Sequence, residues 1–136
     1  MDNESSITGA CHCGSVKWEV KKQIDRITAC NCTVCRKYGV LWAYGNKDLD
    51  VFVAGETKEY LRGDEDIGFH FCPNCGCVAY WLGKNLKENG TYKIAVNTRL
   101  SDQPELIANV PIRHFDGFGA FAEGYKDDQT VKDMWY

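Results

Sequence analysis

The chain has 136 residues, eight cysteines and a formal net charge of −3 at pH 7. That length suits one domain, and 44% hydrophobic with 26% charged residues is ordinary globular composition. An acidic balance, with a sequence pI near 5.6, lacks the basic stripe that nucleic acid requires, so no nucleic-acid partner is expected.

Residues 1–10 are polar and carry no basic segment followed by an apolar one, so they do not read as a secretory signal. No apolar run approaches the length that spans a bilayer, and no membrane partner is expected. The expected compartment is therefore reducing, cytoplasmic or nuclear. Cysteines there serve as metal ligands or catalytic thiols in preference to disulfides.

Along the chain, residues 15–20 alternate, with Val16, Trp18 and Val20 on one face and Ser15, Lys17 and Glu19 on the other. Period two predicts a half-buried strand. Residues 26–32 read the same way, and residues 33–37 offer a short turn of helix. Short runs rich in Val, Phe, Tyr and Trp at 40–44, 51–53, 69–71, 78–82 and 92–96 read as further strands. Residues 104–107 offer a second helical turn. Glycines at 39, 45, 55, 63, 83 and 90 punctuate these runs as turns would. The expectation is a single all-β domain over 1–136 without a linker.

The cysteines fall into three clusters: Cys11 and Cys13; Cys30, Cys32 and Cys35; Cys72, Cys75 and Cys77. In a strand, side chains at i and i+2 share a face. On that reading Cys11 and Cys13 present two thiolates together while His12 points away, and Cys30 pairs with Cys32 likewise. Cys35 returns after a short turn to complete a face of three. Cys72-Pro73-Asn74-Cys75-Gly76 has the form of a zinc knuckle, with proline fixing the turn and glycine taking a left-handed conformation.

Structural zinc takes four tetrahedral ligands, and catalytic zinc takes three with one open position. The simplest partition puts Cys11, Cys13, Cys72 and Cys75 on a closed site and leaves Cys30, Cys32 and Cys35 as an open one. Two closed sites, with Cys77 as the fourth ligand of the second, satisfy the same count. The open partition is preferred because it alone matches catalytic zinc chemistry.

Three stretches carry a resemblance: 9–16 (Gly-Ala-Cys-His-Cys-Gly-Ser-Val), 30–36 (Cys-Asn-Cys-Thr-Val-Cys-Arg) and 71–76 (Phe-Cys-Pro-Asn-Cys-Gly). With 96–100 and 114–117, they resemble the family of glutathione-dependent formaldehyde-activating enzymes and centromere protein V, from about residue 8 to residue 117. The resemblance implies a β-tent of several small antiparallel sheets. It implies a structural Zn2+ on Cys11, Cys13, Cys72 and Cys75 and a catalytic Zn2+ on Cys30, Cys32 and Cys35. The implied activity is a carbon–sulfur lyase chemistry that reversibly joins glutathione and formaldehyde into S-hydroxymethylglutathione. Another small aldehyde or thiol adduct is a related substrate. Cys77 departs from the family, where threonine or another small residue is common.

Glutathione is anionic, so its carboxylates call for basic partners. Arg36 and Lys37 follow the third ligand, and Arg99 and Arg113 lie in the downstream stretches. Arg36 and Arg99 are the expected binders, because a guanidinium offers a fixed fork for carboxylate. His12 and His70 are expected away from the chemistry, and His114 or Asp116 to support the site by hydrogen bonds. Trp18, Trp42, Tyr44, Tyr80 and Trp81 read as core or pocket wall. The competing reading is a non-catalytic, zinc-stabilised module that binds protein, with both metals structural.

Overall fold

The computed structural model describes residues 6–63, 65–124 and 126–135. The chain runs through β1 (Ile7–Ala10), β2 (Lys17–Val20), β3 (Ile27–Cys30), α1 (Thr33–Tyr38), β4 (Trp42–Asn46) and β5 (Val51–Ala54). It continues through β6 (Lys58–Leu61), β7 (Ile67–Phe71), β8 (Val78–Leu86), β9 (Tyr92–Asn97), β10 (Ile112–Asp116) and β11 (Ala122–Glu123). The all-β expectation holds, with 3-10 turns at Thr98–Leu100, Pro104–Leu106 and Val131–Met134.

Two sheets form, one of order β1-β2-β5 and one of order β11-β10-β3-β4-β9-β8-β7-β6. One pairing corrects the antiparallel expectation: β10 runs parallel to β3, with Arg113 beside Thr28 and Phe115 beside Cys30. The reason is connectivity. β10 follows β9 through the turns Thr98–Leu100 and Pro104–Leu106, and such a crossover can deliver a parallel strand where a tight hairpin cannot.

Period two divides the larger sheet into two faces. Ile27, Ala43, Ile94 and Val96 pack with Trp18 and Val51 of the small sheet, and with Val16 just before β2, in one buried cluster. The opposite face carries a second cluster built around Trp42, Phe69, Trp81 and Ala95, and this cluster includes Cys32 and Cys35. The register aligns it: Phe69 pairs with Trp81, Trp81 with Ala95, and Ala95 with Tyr44. One face therefore holds the small sheet, and the other builds the site.

Strands β1 and β6 escape sequence pattern for physical reasons. β6 is Lys-Glu-Tyr-Leu, mostly exposed at the sheet's edge, and has no apolar alternation to read. β1 contains Gly9 opposite Trp18, and a Cβ there would lie 2.3 Å from the indole ring. Glycine is needed for that close approach, although it weakens strand propensity.

Candidate metal centres and the cavity beside them

Cys11 and Cys13 do not sit in a strand. They occupy the turn joining β1 to β2, where the N–H of Gly14 donates to the Cys11 carbonyl at 2.9 Å and Gly14 takes φ +86°. The N–H of Val16 donates to Cys11 Sγ at 3.3 Å. The second half of the group is the expected knuckle. There, the N–H groups of Asn74 and Cys75 donate to Cys72 Sγ at 3.3 and 3.4 Å, and Gly76 takes φ +83°.

The four sulfurs of Cys11, Cys13, Cys72 and Cys75 lie within 4.8 Å of one another. Cys13 Sγ is 3.7 Å from Cys11 Sγ and 3.6 Å from Cys72 Sγ. Tetrahedral zinc with Zn–S bonds of about 2.3 Å sets its sulfurs roughly 3.8 Å apart, so the donor set fits that ion. Ser15 Oγ stands 3.1 Å from Cys13 Sγ and 3.2 Å from Cys72 Sγ. Its hydrogen bond is the main cause that lowers the Cys13 thiol to about 5. Burial pushes the Cys11 thiol up.

Cys30, Cys32 and Cys35 form the second group, their sulfurs again within 4.8 Å of one another. Cys30 ends β3, and Cys32 caps α1 at its N-terminus, its sulfur accepting the N–H of Cys35 at 3.3 Å. Gly39 closes α1 in a left-handed conformation, its N–H bonded to the Cys35 carbonyl. The indole Nε1 of Trp42 donates to Cys35 Sγ at 3.3 Å. A hydrogen bond from the Cys35 thiol is the main cause that lowers Cys30 to about 6, with backbone donors at Cys32 and Gly117 adding to it. The same thiol contact, together with burial, pushes Cys35 up. Three soft sulfur donors of this kind suit zinc.

Asp116, the last residue of β10, shapes the chain that passes this group. Its carboxylate accepts from Asn31 Nδ2 at 3.1 Å and from the N–H groups of Gly119 and Ala120 at 2.8 and 3.0 Å. Those backbone donors hold it below the ordinary carboxylate range. The passing chain comes so close that a Cβ on Gly117 would lie 2.8 Å from Cys30 Sγ.

A cavity of about 390 Å³ opens on the three cysteines. Trp42, Tyr44, Phe69, Trp81, Phe115 and Phe121 supply aromatic wall, and Arg26, Arg62, Lys93 and Arg113 supply positive charge. Arg36 does not line this cavity; it faces an adjoining one that shares Cys30, with His114 and Asp116. Arg99 lies elsewhere, its Nη2 donating to the Met134 carbonyl at 2.7 Å. It lines a shallow groove with Lys37 and Cys77. Cys77 belongs to neither sulfur group among the described residues. His12 carries an exposed position in the first turn, and His70 stacks on Tyr80 at 4.7 Å. Trp42, Tyr44 and Trp81 are cavity wall, while Trp18 and Tyr80 are core.

The cations at 26, 62 and 93 were not singled out by sequence. Arg26 and Lys93 had a signal in the alternation: Arg26 shares a face with Cys30 four residues on, and Lys93 shares one with Ala95. Arg62 follows the exposed β6 and had none.

An all-β chain with one group of four thiols, and one of three thiols opening on a cavity, is a cysteine-rich protein with two groups able to hold metal ions. The family model of the glutathione-dependent formaldehyde-activating enzyme matches residues 6–113, and the chain belongs to that family. It is also similar to a crystal structure of a Rhodobacter sphaeroides protein, with a TM-score of 0.59 and 25% identity. That match covers 77% of this chain and 98% of the other.

Proposed function

We propose that the protein is an enzyme of the carbon–sulfur lyase type that reversibly joins a thiol to a small aldehyde. Glutathione and formaldehyde are the pair the family name indicates. The observation that carries this reading is the group of Cys30, Cys32 and Cys35 opening on a cationic, aromatic cavity of about 390 Å³. Cys11, Cys13, Cys72 and Cys75 hold a structural zinc, and the group of three holds a second. Zinc bound there supplies Lewis acidity and lowers the pKa of a thiol or water beside it.

The chain's own residues do the rest. Trp42 and the N–H of Cys35 fix two of the sulfurs by hydrogen bonds. Arg26, Arg62, Lys93 and Arg113 attract an anionic thiol to the cavity. The aromatic wall displaces water from around the reactants, which strengthens the electrostatic contacts inside. In the forward direction the sulfur lone pair forms the C–S bond at the carbonyl carbon. The carbonyl π pair moves to oxygen, and the proton given up by the thiol ends on that oxygen. Holding both reactants together removes much of the entropic barrier to such an addition. Arg36, in the adjoining cavity beside Cys30, is placed to meet a part of the substrate that extends past the sulfur group. Arg99 is assigned to holding the C-terminal turn through Met134.

The test is exchange spectroscopy by NMR on glutathione and carbon-13 formaldehyde with the zinc-loaded protein. Exchange between adduct and free reactants should accelerate, and Cys32→Ser should abolish the acceleration while the chain stays folded. Exchange no faster than in buffer sinks the lyase reading and favours the binding module.

A further inference from the structure

Residues 117–121 join β10 to β11, which pair with Phe115 opposite Glu123 and Asp116 opposite Ala122. Asp116 accepts the N–H groups of Gly119 and Ala120 in this loop, and Asn31 Oδ1 accepts that of Phe118. The loop carries two exposed aromatic side chains, Phe118 at 68% and Phe121 at 72%. Phe121 lines the cavity over Cys30, Cys32 and Cys35, and Phe118 does not. The Phe121 ring meets that of Phe115 edge-on, 5.2 Å between centres.

Phe121 also takes φ +54°, a left-handed conformation that a bulky side chain rarely adopts. Asp48 and Glu65, the other non-glycine residues with positive φ among the described residues, are polar and exposed. Glycine would take this conformation without steric cost, and a polar side chain would suit the exposure. Phe121 belongs to neither buried cluster, so core packing does not account for it. A strained backbone and an exposed ring at a cavity mouth are costs that a bound ligand offsets, because ligand and ring cover each other.

We propose, resting on the thiol-joining reading above, that Phe121 is a substrate-binding residue that covers glutathione at the open side of the cavity. With the thiol on the group of three, the ring lies against the methylenes and peptide planes that follow the sulfur. Arg113 adjoins the same wall, its guanidinium 5.1 Å from the Phe115 ring centre. Water leaves that side of the cavity, so the attraction between Arg113 and a glutathione carboxylate is screened less. Phe118, of similar exposure on the same loop, has no part in binding.

The experiment is calorimetric titration of the zinc-loaded protein with glutathione and with mercaptoethanol, without aldehyde, beside thermal melting of each variant. Phe121→Ala and Phe121→Gly should each weaken glutathione about fivefold. Phe121→Tyr and Phe118→Ala should leave it within about twofold of wild type. Mercaptoethanol has no peptide for the ring to cover, so its binding should not respond to Phe121→Ala. A variant that merely disturbed the sulfur group would weaken both thiols. Phe121→Gly should melt about 3 °C above Phe121→Ala, because alanine keeps the strain of a positive φ and glycine does not. Glutathione bound equally by wild type and Phe121→Ala, or not bound by wild type, overturns the inference. An equal loss for the two thiols, a loss in Phe118→Ala matching that in Phe121→Ala, or a glycine variant melting below the alanine variant overturns it as well. Because no turnover is read, failure here is separate from failure of the lyase reading, which the exchange measurement decides.

Discussion

Trp42 shows how a core residue comes to touch the group of three cysteines. It is only 1% exposed, packs 6.2 Å from Phe69 and 6.4 Å from Trp81 by ring centres, and places its one polar atom on Cys35 Sγ. A buried indole N–H needs an acceptor, and a metal-bound thiolate is a better one than a neutral thiol. Trp42→Phe keeps an aromatic wall and removes that donor. The affinity of the second site for zinc should fall about tenfold or more, with the four-cysteine site unaffected, as read by competition with a chromogenic chelator. Equal competition curves for variant and wild type would mean that the hydrogen bond does not tune the site. Gly117 belongs to the same scale, because only its lack of a Cβ lets the chain pass Cys30.

Among the elements, the pairing of β3 with β10 and the chain that follows it matter most. The pairing brings Phe115 beside Cys30, and Asp116 then gathers Asn31, Gly119 and Ala120 into a turn next to the sulfurs. Phe118 N–H adds a bond to Asn31 Oδ1 at 3.0 Å. Asp116→Ala should raise amide hydrogen exchange at 117–120 and slow thiol–aldehyde exchange, with both zincs retained. Unchanged protection at those amides would show that the turn holds without the carboxylate. Sequence made some of these elements legible. Alternation around Trp18 and the knuckle at Cys72 are local signals, and they led to β2 and to half of the four-cysteine group. The parallel partner of β3 depends on a crossover that leaves no periodic mark. The spacing of Cys11 and Cys13 suggested a strand although Gly14, in its left-handed conformation, makes a turn there. Both geometries bring the two thiols together, so the ligand set was readable where the backbone was not. Arg36 follows Cys35 directly in sequence, but in the last turn of α1 it lines the neighbouring cavity.

For the whole molecule, the two sulfur groups have different mechanical positions. The group of four joins the β1–β2 turn of the small sheet to the β7–β8 knuckle of the large one, and Cys13 and Cys72 are 59 residues apart. Closing a loop of that length opposes folding, and metal bound to the folded arrangement offsets the cost. The group of three is local to β3 and α1, both already carried by the large sheet. Cys11→Ser or Cys75→Ser should therefore yield insoluble protein, as seen in the soluble fraction after expression. Cys32→Ser should remain soluble and keep its far-ultraviolet circular dichroism. The division of labour between the groups is the central claim, and zinc per chain, measured on wild type and on Cys32→Ser purified without chelator, tests it most directly. Two zincs in wild type and one in a folded Cys32→Ser are the predicted result. A single zinc in wild type, or a Cys32→Ser chain that unfolds as Cys11→Ser does, would contradict it.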